Sequence, residues 1–389
     1  MKIEINENFY KLSENYLFSE VALRVEKKRG EQGKKKIISL GIGDLTRPLA
    51  PCVAREISRA AIGLGTKEGF FGYGNTRGVP ELRKAIVEYY KRRNVLLADD
   101  EIFISDGAKS DLANLPDLFG DVEVLICDPV YPVYLDSSIL SGKRVHLIGA
   151  SRENNFLPSP SGLEKKPFLI YLCSPNNPTG AVFSQAQLKE WVDFALESGS
   201  LIIFDAAYEA YVSDKALPRS VFEIEGAREC AIEVCSFSKM AGFTGVRCGW
   251  TVIPSTSPFN KLWARRQGTK FNGASFISQA GGVAALSPEG LQESAQNVAY
   301  YMENARILAD FLKKNGIFFC GGVHAPYLWL ECPYKMDSWT FFDYLLDSAQ
   351  VVGTPGVGFG RQGEGYFRLS SFAERENVLE AIARLDEIL

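Results

Sequence analysis

The chain has 389 residues, 46% of them hydrophobic and 23% charged, with a net charge of −4. That length exceeds what one hydrophobic core fills, so a main domain and a smaller one are expected. The acidic balance gives no support to nucleic-acid binding, and no apolar run is long enough to span a bilayer. Residues 1–9 carry Glu4 and Glu7 and no apolar stretch, so no secretory signal is expected. Eight cysteines occur without a C-x-x-C pair, several inside apolar runs (Cys127, Cys173, Cys235), as in the reduced core of a cytoplasmic protein. Two histidines, His146 and His324, leave His-dependent triads and His-rich metal sites without their parts, and no metal is expected.

In chain order, Leu17, Val21 and Val25 recur at helical spacing behind Tyr16. The lysine-rich run ending at Lys34 to Lys36 reads as a solvated turn. A strand at 37–40 runs into Gly41-Ile-Gly-Asp44, whose glycines permit close backbone approach to a ligand. Residues 63–78 hold six glycines, a density that no regular element survives. This is a long loop displaying Tyr73, and loops of that length are often functional. A helix follows from Leu82, then a strand at 101–105. The strand leads into Asp106-Gly-Ala-Lys109 and an apolar helix, an arrangement that offers backbone N–H groups to a phosphate.

Further buried strands are expected at 122–127, 168–173, 201–204, 231–235 and 249–253, with a helix near 184–198. The first four strands end in Asp128-Pro-Val-Tyr-Pro132, Asn176-Asn-Pro-Thr-Gly180, Asp205-Ala-Ala-Tyr208 and Ser236-Phe-Ser-Lys239, with Arg247 eight residues after the lysine and before the fifth. Continuous apolar strands belong to parallel sheets covered on both faces. Ligands of such sheets bind beyond the strands' carboxyl ends, where these motifs fall. Beyond about residue 281 the alternation stops, and a long helix near 291–314 precedes strands at 327–330 and 366–370. The expected division is 1–42 as an N-terminal arm joining the small domain, 43–280 as the large domain and 281–389 as a small α+β domain.

A lysine that condenses with a carbonyl must lose its proton readily, which burial and neighbouring cations favour. Lys239 is placed for that. The hydroxyls of Ser236 and Ser238, the Arg247 fork and the backbone at Ala108 and Lys109 suit a phosphate dianion. Asp205, at the mouth of an apolar strand, can keep a pyridine nitrogen protonated, although Asp is also a favoured helix cap. Asn177 and Tyr208 can donate to a phenolate oxygen. Tyr131 can stack on a flat ring, with Tyr134 as the alternative. Arg368, between apolar strand residues, needs a buried anionic partner.

Taken in order, these motifs resemble fold-type I, class I/II aminotransferases over nearly the whole chain. The resemblance implies an α/β fold, with a large domain of mostly parallel sheet flanked by helices plus a smaller α+β domain. It implies pyridoxal 5'-phosphate as cofactor, amino-acid and 2-oxo-acid substrates, and a homodimer with shared sites in which Tyr73 reaches the partner's phosphate. It also implies that Arg368 binds the substrate's α-carboxylate. Within the class, Asn15-Tyr-Leu-Phe18, Ile42-Gly-Asp44, Glu68-Gly-Phe-Phe-Gly-Tyr-Gly74, Phe271-Asn-Gly-Ala-Ser275 and His324-Ala-Pro-Tyr-Leu-Trp329 are similar to the LL-diaminopimelate aminotransferases. That likeness implies substrate contacts for Tyr16, Gly43, Lys109 and Arg368, and for Asn272 from the neighbouring subunit. Glu68 is the carboxylate expected for a distal ammonium, and Tyr131 and Asn177 are expected to face the substrate as well as the cofactor. Leu45 replaces a more polar residue of the family, which bears on substrate range. The alternative is another amino-acid specificity, or a lyase on the same scaffold. A DNA-binding regulator on this fold would need a basic helix-turn-helix segment that residues 1–36 cannot hold. A nicotinamide dehydrogenase would need a third glycine where Thr46 stands.

Overall fold

The apolar runs assemble into a sheet of seven strands that carries the larger lobe. A computed structural model describes residues 3–12, 16–31, 36–41 and 43–389. Asn15 and Ile42, which carry part of the likeness above, and Lys34 of the lysine-rich run lie outside the described residues. The chain opens with helix α1 (Leu17–Glu31) and a two-residue strand β1 (Ile38–Ser39), then helices α2 (Pro51–Gly63) and α3 (Pro80–Lys91). The glycine-rich stretch between α2 and α3 is a loop. The large sheet comprises β2 (Ile102–Ser105), β3 (Glu123–Asp128), β4 (Val145–Gly149), β5 (Phe168–Cys173), β6 (Leu201–Asp205), β7 (Ala231–Ser236) and β8 (Gly249–Val252).

Its spatial order is β2-β8-β7-β6-β5-β3-β4. The β3–β4, β3–β5, β5–β6 and β6–β7 pairs are parallel, and β8 runs antiparallel to both β7 and β2. Since β2 opposes β8, it points the same way as β7. Six strands therefore deliver their carboxyl ends to one edge. β5 and β7 are buried at every position, as strands covered on both faces must be. Helix α4 (Ala108–Asn114) follows β2 and helix α5 (Val133–Leu140) follows β3, and the two pack against each other. The helix Gln185–Ser198 is fixed at both ends. Ser184 caps it in a reciprocal pair with Gln187, and Gly199 closes it at φ +70°.

The second lobe is built on an antiparallel sheet of order β12-β13-β10-β9, from β9 (Phe319–Gly321), β10 (Tyr327–Glu331), β12 (Thr354–Pro355) and β13 (Tyr366–Ser370). The short strand β11 (Val351–Val352) pairs in parallel with β1. Leu17, Val21, Ile38 and Leu40 share a core with Leu308, Phe341 and Phe367, so the N-terminal helix packs with the C-terminal lobe. The helix Phe276–Leu286 packs on α2 and α3, and its Ala285 and Leu286 belong to the core of the large lobe. The edge of carboxyl ends and the face of the small sheet meet across one cleft, and the site lies there.

Candidate active site

Strand β7 ends at Ser236, whose hydroxyl accepts the Ser238 N–H at 3.0 Å and so starts a single helical turn, Phe237–Met240. That turn carries Lys239 into the cleft, where its Nζ donates to the carbonyl of Gly43. Burial pushes the Lys239 ammonium down to about 8. Asp44 opposes the fall, while the nearby Arg368 and Arg247 add to it. The motif thus delivers a lysine far closer to losing its proton at neutral pH than an ordinary one.

Asp205 terminates β6 and is buried. Its Oδ2 accepts the Tyr134 hydroxyl at 2.5 Å and its Oδ1 accepts the Ala207 N–H at 2.9 Å. Burial raises the carboxyl, and these two hydrogen bonds work against that rise. Tyr134 is fully buried and stacked on Tyr171 at 4.9 Å, so its task is to hold Asp205. Both rings line the cleft, and Tyr131 is the one whose hydroxyl is not committed to Asp205. Tyr208, three residues past Asp205, has its hydroxyl 2.6 Å from that of Tyr327 on β10.

At the opposite end of the cleft, Arg247 reaches Ser238 Oγ at 3.5 Å, and Ser236 Oγ lies 2.9 Å from the same oxygen. Arg247 has φ +65°, a conformation that costs an L residue roughly 1–2 kcal/mol, and it makes no ion pair among the described residues. Gly107, just before α4, has φ +132°, and a Cβ there would meet Arg247 Nη2 at 2.6 Å. That φ strains any other residue, and a Cβ would also push the guanidinium aside. A cation, two hydroxyls and the start of α4 therefore face one small volume.

Arg368 lies on β13, opposite Trp329 of β10 and Thr354 of β12, and is only 1% exposed. Its Nη1 donates to Asn177 Oδ1 at 2.6 Å, and its Nη2 donates to the Gly41 carbonyl at 2.6 Å and to Thr354 Oγ1 at 3.3 Å. Its Nε has no partner, and the guanidinium lies 4.4 Å from the Tyr327 ring centroid. Among the described residues no carboxylate neutralises it. A buried cation held only by neutral acceptors is positioned to receive an anion.

These groups share one cavity of about 650 Å³. Of the residues expected from sequence, Gly43, Ala108, Lys109, Tyr131, Asn177 and Asp205 line it, as do Tyr208, Ser236, Ser238, Lys239, Arg247 and Arg368. Tyr16 instead lines a neighbouring cavity of about 500 Å³, with the Lys109 ammonium 5.2 Å from its ring centroid. Glu68, Tyr73 and Asn272 are exposed and are not among the lining residues, and Tyr73 is 93% exposed. The reason is physical. Phe71 stacks on Phe276 at 4.2 Å, and Gly273 lies against the Asn75 carbonyl, so the loop lies alongside segment 271–276 on the outside of the lobe. Sequence reasoning missed Tyr327, Thr354 and the structural task of Tyr134. A tyrosine at the start of an otherwise apolar strand was the available signal for Tyr327.

The Aminotransferase class I and II family matches residues 35–385 of the chain. An LL-diaminopimelate aminotransferase of Lachnospira eligens is 47% identical over 401 residues, covering 98% of this chain and 99% of that protein. One of Parabacteroides distasonis is 47% identical over 404 residues, covering 98% of each. The solved L,L-diaminopimelate aminotransferase of Chlamydomonas reinhardtii superposes with a TM-score of 0.94 at 44% identity, covering 100% of this chain and 99% of that one.

Proposed function

The chain belongs to the class I and II aminotransferases, enzymes that work with pyridoxal phosphate, and from that premise we propose that it interconverts LL-2,6-diaminopimelate and 2-oxoglutarate with tetrahydrodipicolinate and L-glutamate. The observation that carries this reading is the unneutralised, buried Arg368 sharing a cavity with a lysine whose pKa lies near 8. An α-amino acid presents a carboxylate and an amine two bonds apart, and the pair matches it. The specificity rests on the two relatives and the solved structure named above.

The residues present fit the cofactor. Arg247 with Ser236 and Ser238 forms a cradle, free of carboxylates, that a phosphate dianion would complete, and Gly107 leaves its wall open. Asp205, buried and oriented by Tyr134, would hold a proton on the pyridine nitrogen. Asn177 spends its oxygen on Arg368, which leaves its NH₂ to donate toward the phenolate oxygen beside the Tyr208 hydroxyl. Tyr131 would lie against the ring. When bound, the cofactor supplies the carbonyl that takes up the amino group and the ring that accepts the electrons released at the substrate's Cα. Lys239 Nζ takes the Cα proton and returns one, a task suited to a group titrating near neutral pH. Arg368 fixes the α-carboxylate and so orients the Cα–H bond. Lys109, with Tyr16 beside it and Asn272 from a neighbouring copy, would hold the second carboxylate at the side chain's far end.

A second copy of the chain would complete the site. Supporting this, Phe70, Phe71, Tyr73 and Ile62 expose apolar surface on the glycine-rich loop and the end of α2. Asn272 lies on the segment beside that loop, so Tyr73, Asn272 and Glu68 belong to one surface that could serve a neighbour's cavity. The eight free cysteines support a reducing, cytoplasmic setting. Among the described residues no helix is long and apolar enough to cross a membrane.

The test is an amino-transfer assay with 2-oxoglutarate across a panel of amino acids that includes the three diaminopimelate stereoisomers. The LL isomer should turn over well above aspartate, alanine and the aromatic amino acids, and the Lys239→Ala protein should turn over none of them. Good activity with aspartate or alanine and none with LL-diaminopimelate would overturn the substrate assignment and leave the reaction type standing.

A further inference from the structure

Tyr208 can tune the cofactor only if its single hydroxyl proton points into the cavity. A phenol has one proton to give, and the Tyr208 oxygen already lies 2.6 Å from the Tyr327 oxygen. One of the two must donate to the other. If Tyr208 donated to Tyr327, it would have nothing left for a ligand.

The surroundings of the pair favour one direction. The Arg368 guanidinium lies 4.4 Å from the Tyr327 ring centroid, and a cation over the ring makes its hydroxyl the better donor. Burial raises both phenols, and at Tyr327 the Arg368 charge is the first influence that opposes the rise. Neither hydroxyl makes another hydrogen bond among the described residues, so Tyr327 has no other protein acceptor for its proton and Tyr208 keeps its own for the cavity. The backbone also makes way for it, because a Cβ on Gly43 would stand 2.8 Å from the Tyr327 oxygen. The same Gly43 offers its carbonyl to Lys239. Tyr327 comes from β10 of the small lobe and Tyr208 from the turn after β6 of the large lobe, so the bond crosses the cleft.

We propose that Tyr327 is a positioning residue that donates its hydroxyl proton to Tyr208, aims the Tyr208 proton at the cofactor's phenolate oxygen, and thereby ties the electronics of the bound cofactor to the placement of the small lobe. The inference rests on the pyridoxal-phosphate reading of the site and not on which amino acid is the substrate. A donor to the phenolate favours the unprotonated lysine–cofactor linkage, and a chain of two hydroxyls strengthens that donor. Removing the Tyr327 hydroxyl therefore raises the pH at which the linkage protonates.

The experiment is a pH titration of the visible absorbance of the cofactor-loaded protein, which reads that midpoint without substrate or turnover. Four proteins are compared: the native chain, Tyr327→Phe, Tyr208→Phe and the double variant. Tyr327→Phe should raise the midpoint by roughly half a unit to one unit, the worth of one neutral hydrogen bond. Tyr208→Phe should raise it further, and adding Tyr327→Phe to Tyr208→Phe should change nothing more. Replacing residue 327 with 3-fluorotyrosine, a more acidic phenol of nearly the same shape, should lower the midpoint and guards against a packing effect of the Phe variant. An unmoved midpoint in Tyr327→Phe, or an equal shift in the Tyr208→Phe background, overturns the relay. An unmoved midpoint in Tyr208→Phe removes Tyr208 from the cofactor and the premise with it.

Discussion

Holding Lys239 ready for chemistry weakens the fold before the cofactor binds, and the size of that effect follows from its pKa. Burial lowers the ammonium from 10.5 to about 8. The folded chain therefore binds fewer protons than the unfolded chain between pH 8 and 10.5, and stability rises with pH across that window. Below pH 8 the full penalty is present, about 3 kcal/mol for a shift of about 2.5 units at 1.36 kcal/mol each. Lys239→Met removes the charge but also the hydrogen bond to the Gly43 carbonyl, worth about 1 kcal/mol. In cofactor-free protein at pH 7 the Met variant should be the more stable by about 2 kcal/mol, or roughly 2–3 °C in Tm for a chain of this length. The gap should close as pH approaches 10. Thermal unfolding of both proteins from pH 6.5 to 10 measures it. A native chain as stable as the variant at pH 7, or a gap that ignores pH, would show that Lys239 is not buried as a charge.

Three further outcomes are expected. Asp205→Asn should bind the cofactor yet slow amino transfer by several orders of magnitude in single-turnover absorbance, because the ring loses its proton and the substrate carbanion its electron sink. Arg368→Lys trades a fork that meets Asn177, Gly41 and Thr354 for a point charge. It should weaken every α-amino acid by roughly 2–3 kcal/mol, read in kcat/KM, while amines without an α-carboxylate lose little. Glu209→Gln should destabilise by about 3–5 kcal/mol in urea unfolding. Glu209 is 4% exposed at its side chain and takes Arg93 at 3.2 Å and Arg219 at 2.5 Å, and the Tyr89 hydroxyl completes the cluster.

The parts of the site that local chemistry dictates were legible in the sequence. Strand ends could be read because continuous apolar runs such as Phe168–Cys173 stop abruptly at polar turns, and the structure collects five of those ends, of β2, β3, β5, β6 and β7, on one edge. β4 escaped because it is an edge strand with Leu147 facing solvent, so no continuous apolar run marks it. The helix Phe276–Leu286 escaped because Gly281 and Gly282 lower its helix propensity, although both serve close packing on Ile57 and Leu82. Pro51–Gly63 had a readable signal, Cys52, Val53 and Ala60 on one face behind a proline at its start. The partner of Asp205 was not readable, since nothing in the sequence around Tyr131 and Tyr134 tells which hydroxyl reaches the carboxylate. That choice is made where α5, which carries Tyr134, meets the end of β6, which carries Asp205, and that meeting is tertiary.

The charges of the cavity explain why its parts must act in sequence. Lys109, Lys239, Arg247 and Arg368 line it with Asp44 and Asp205, Arg29 and Glu26 pair with each other at its rim, and Arg247 and Arg368 form no ion pair among the described residues. Each cation raises the cost of the others, and Lys239 registers this directly, because both arginines lower its proton affinity. A phosphate docked at Arg247 would cancel one of those influences, and it would arrive on the same molecule as the aldehyde. Arg368 would then still depress the lysine's proton affinity while that nitrogen attacks the carbonyl. An α-carboxylate docked later at Arg368 would cancel the second influence, and the same nitrogen would hold a proton more firmly. A single residue that must first attack a carbonyl and later carry a proton needs its affinity to move in that direction, and an arginine that waits for the substrate's anion would supply the movement.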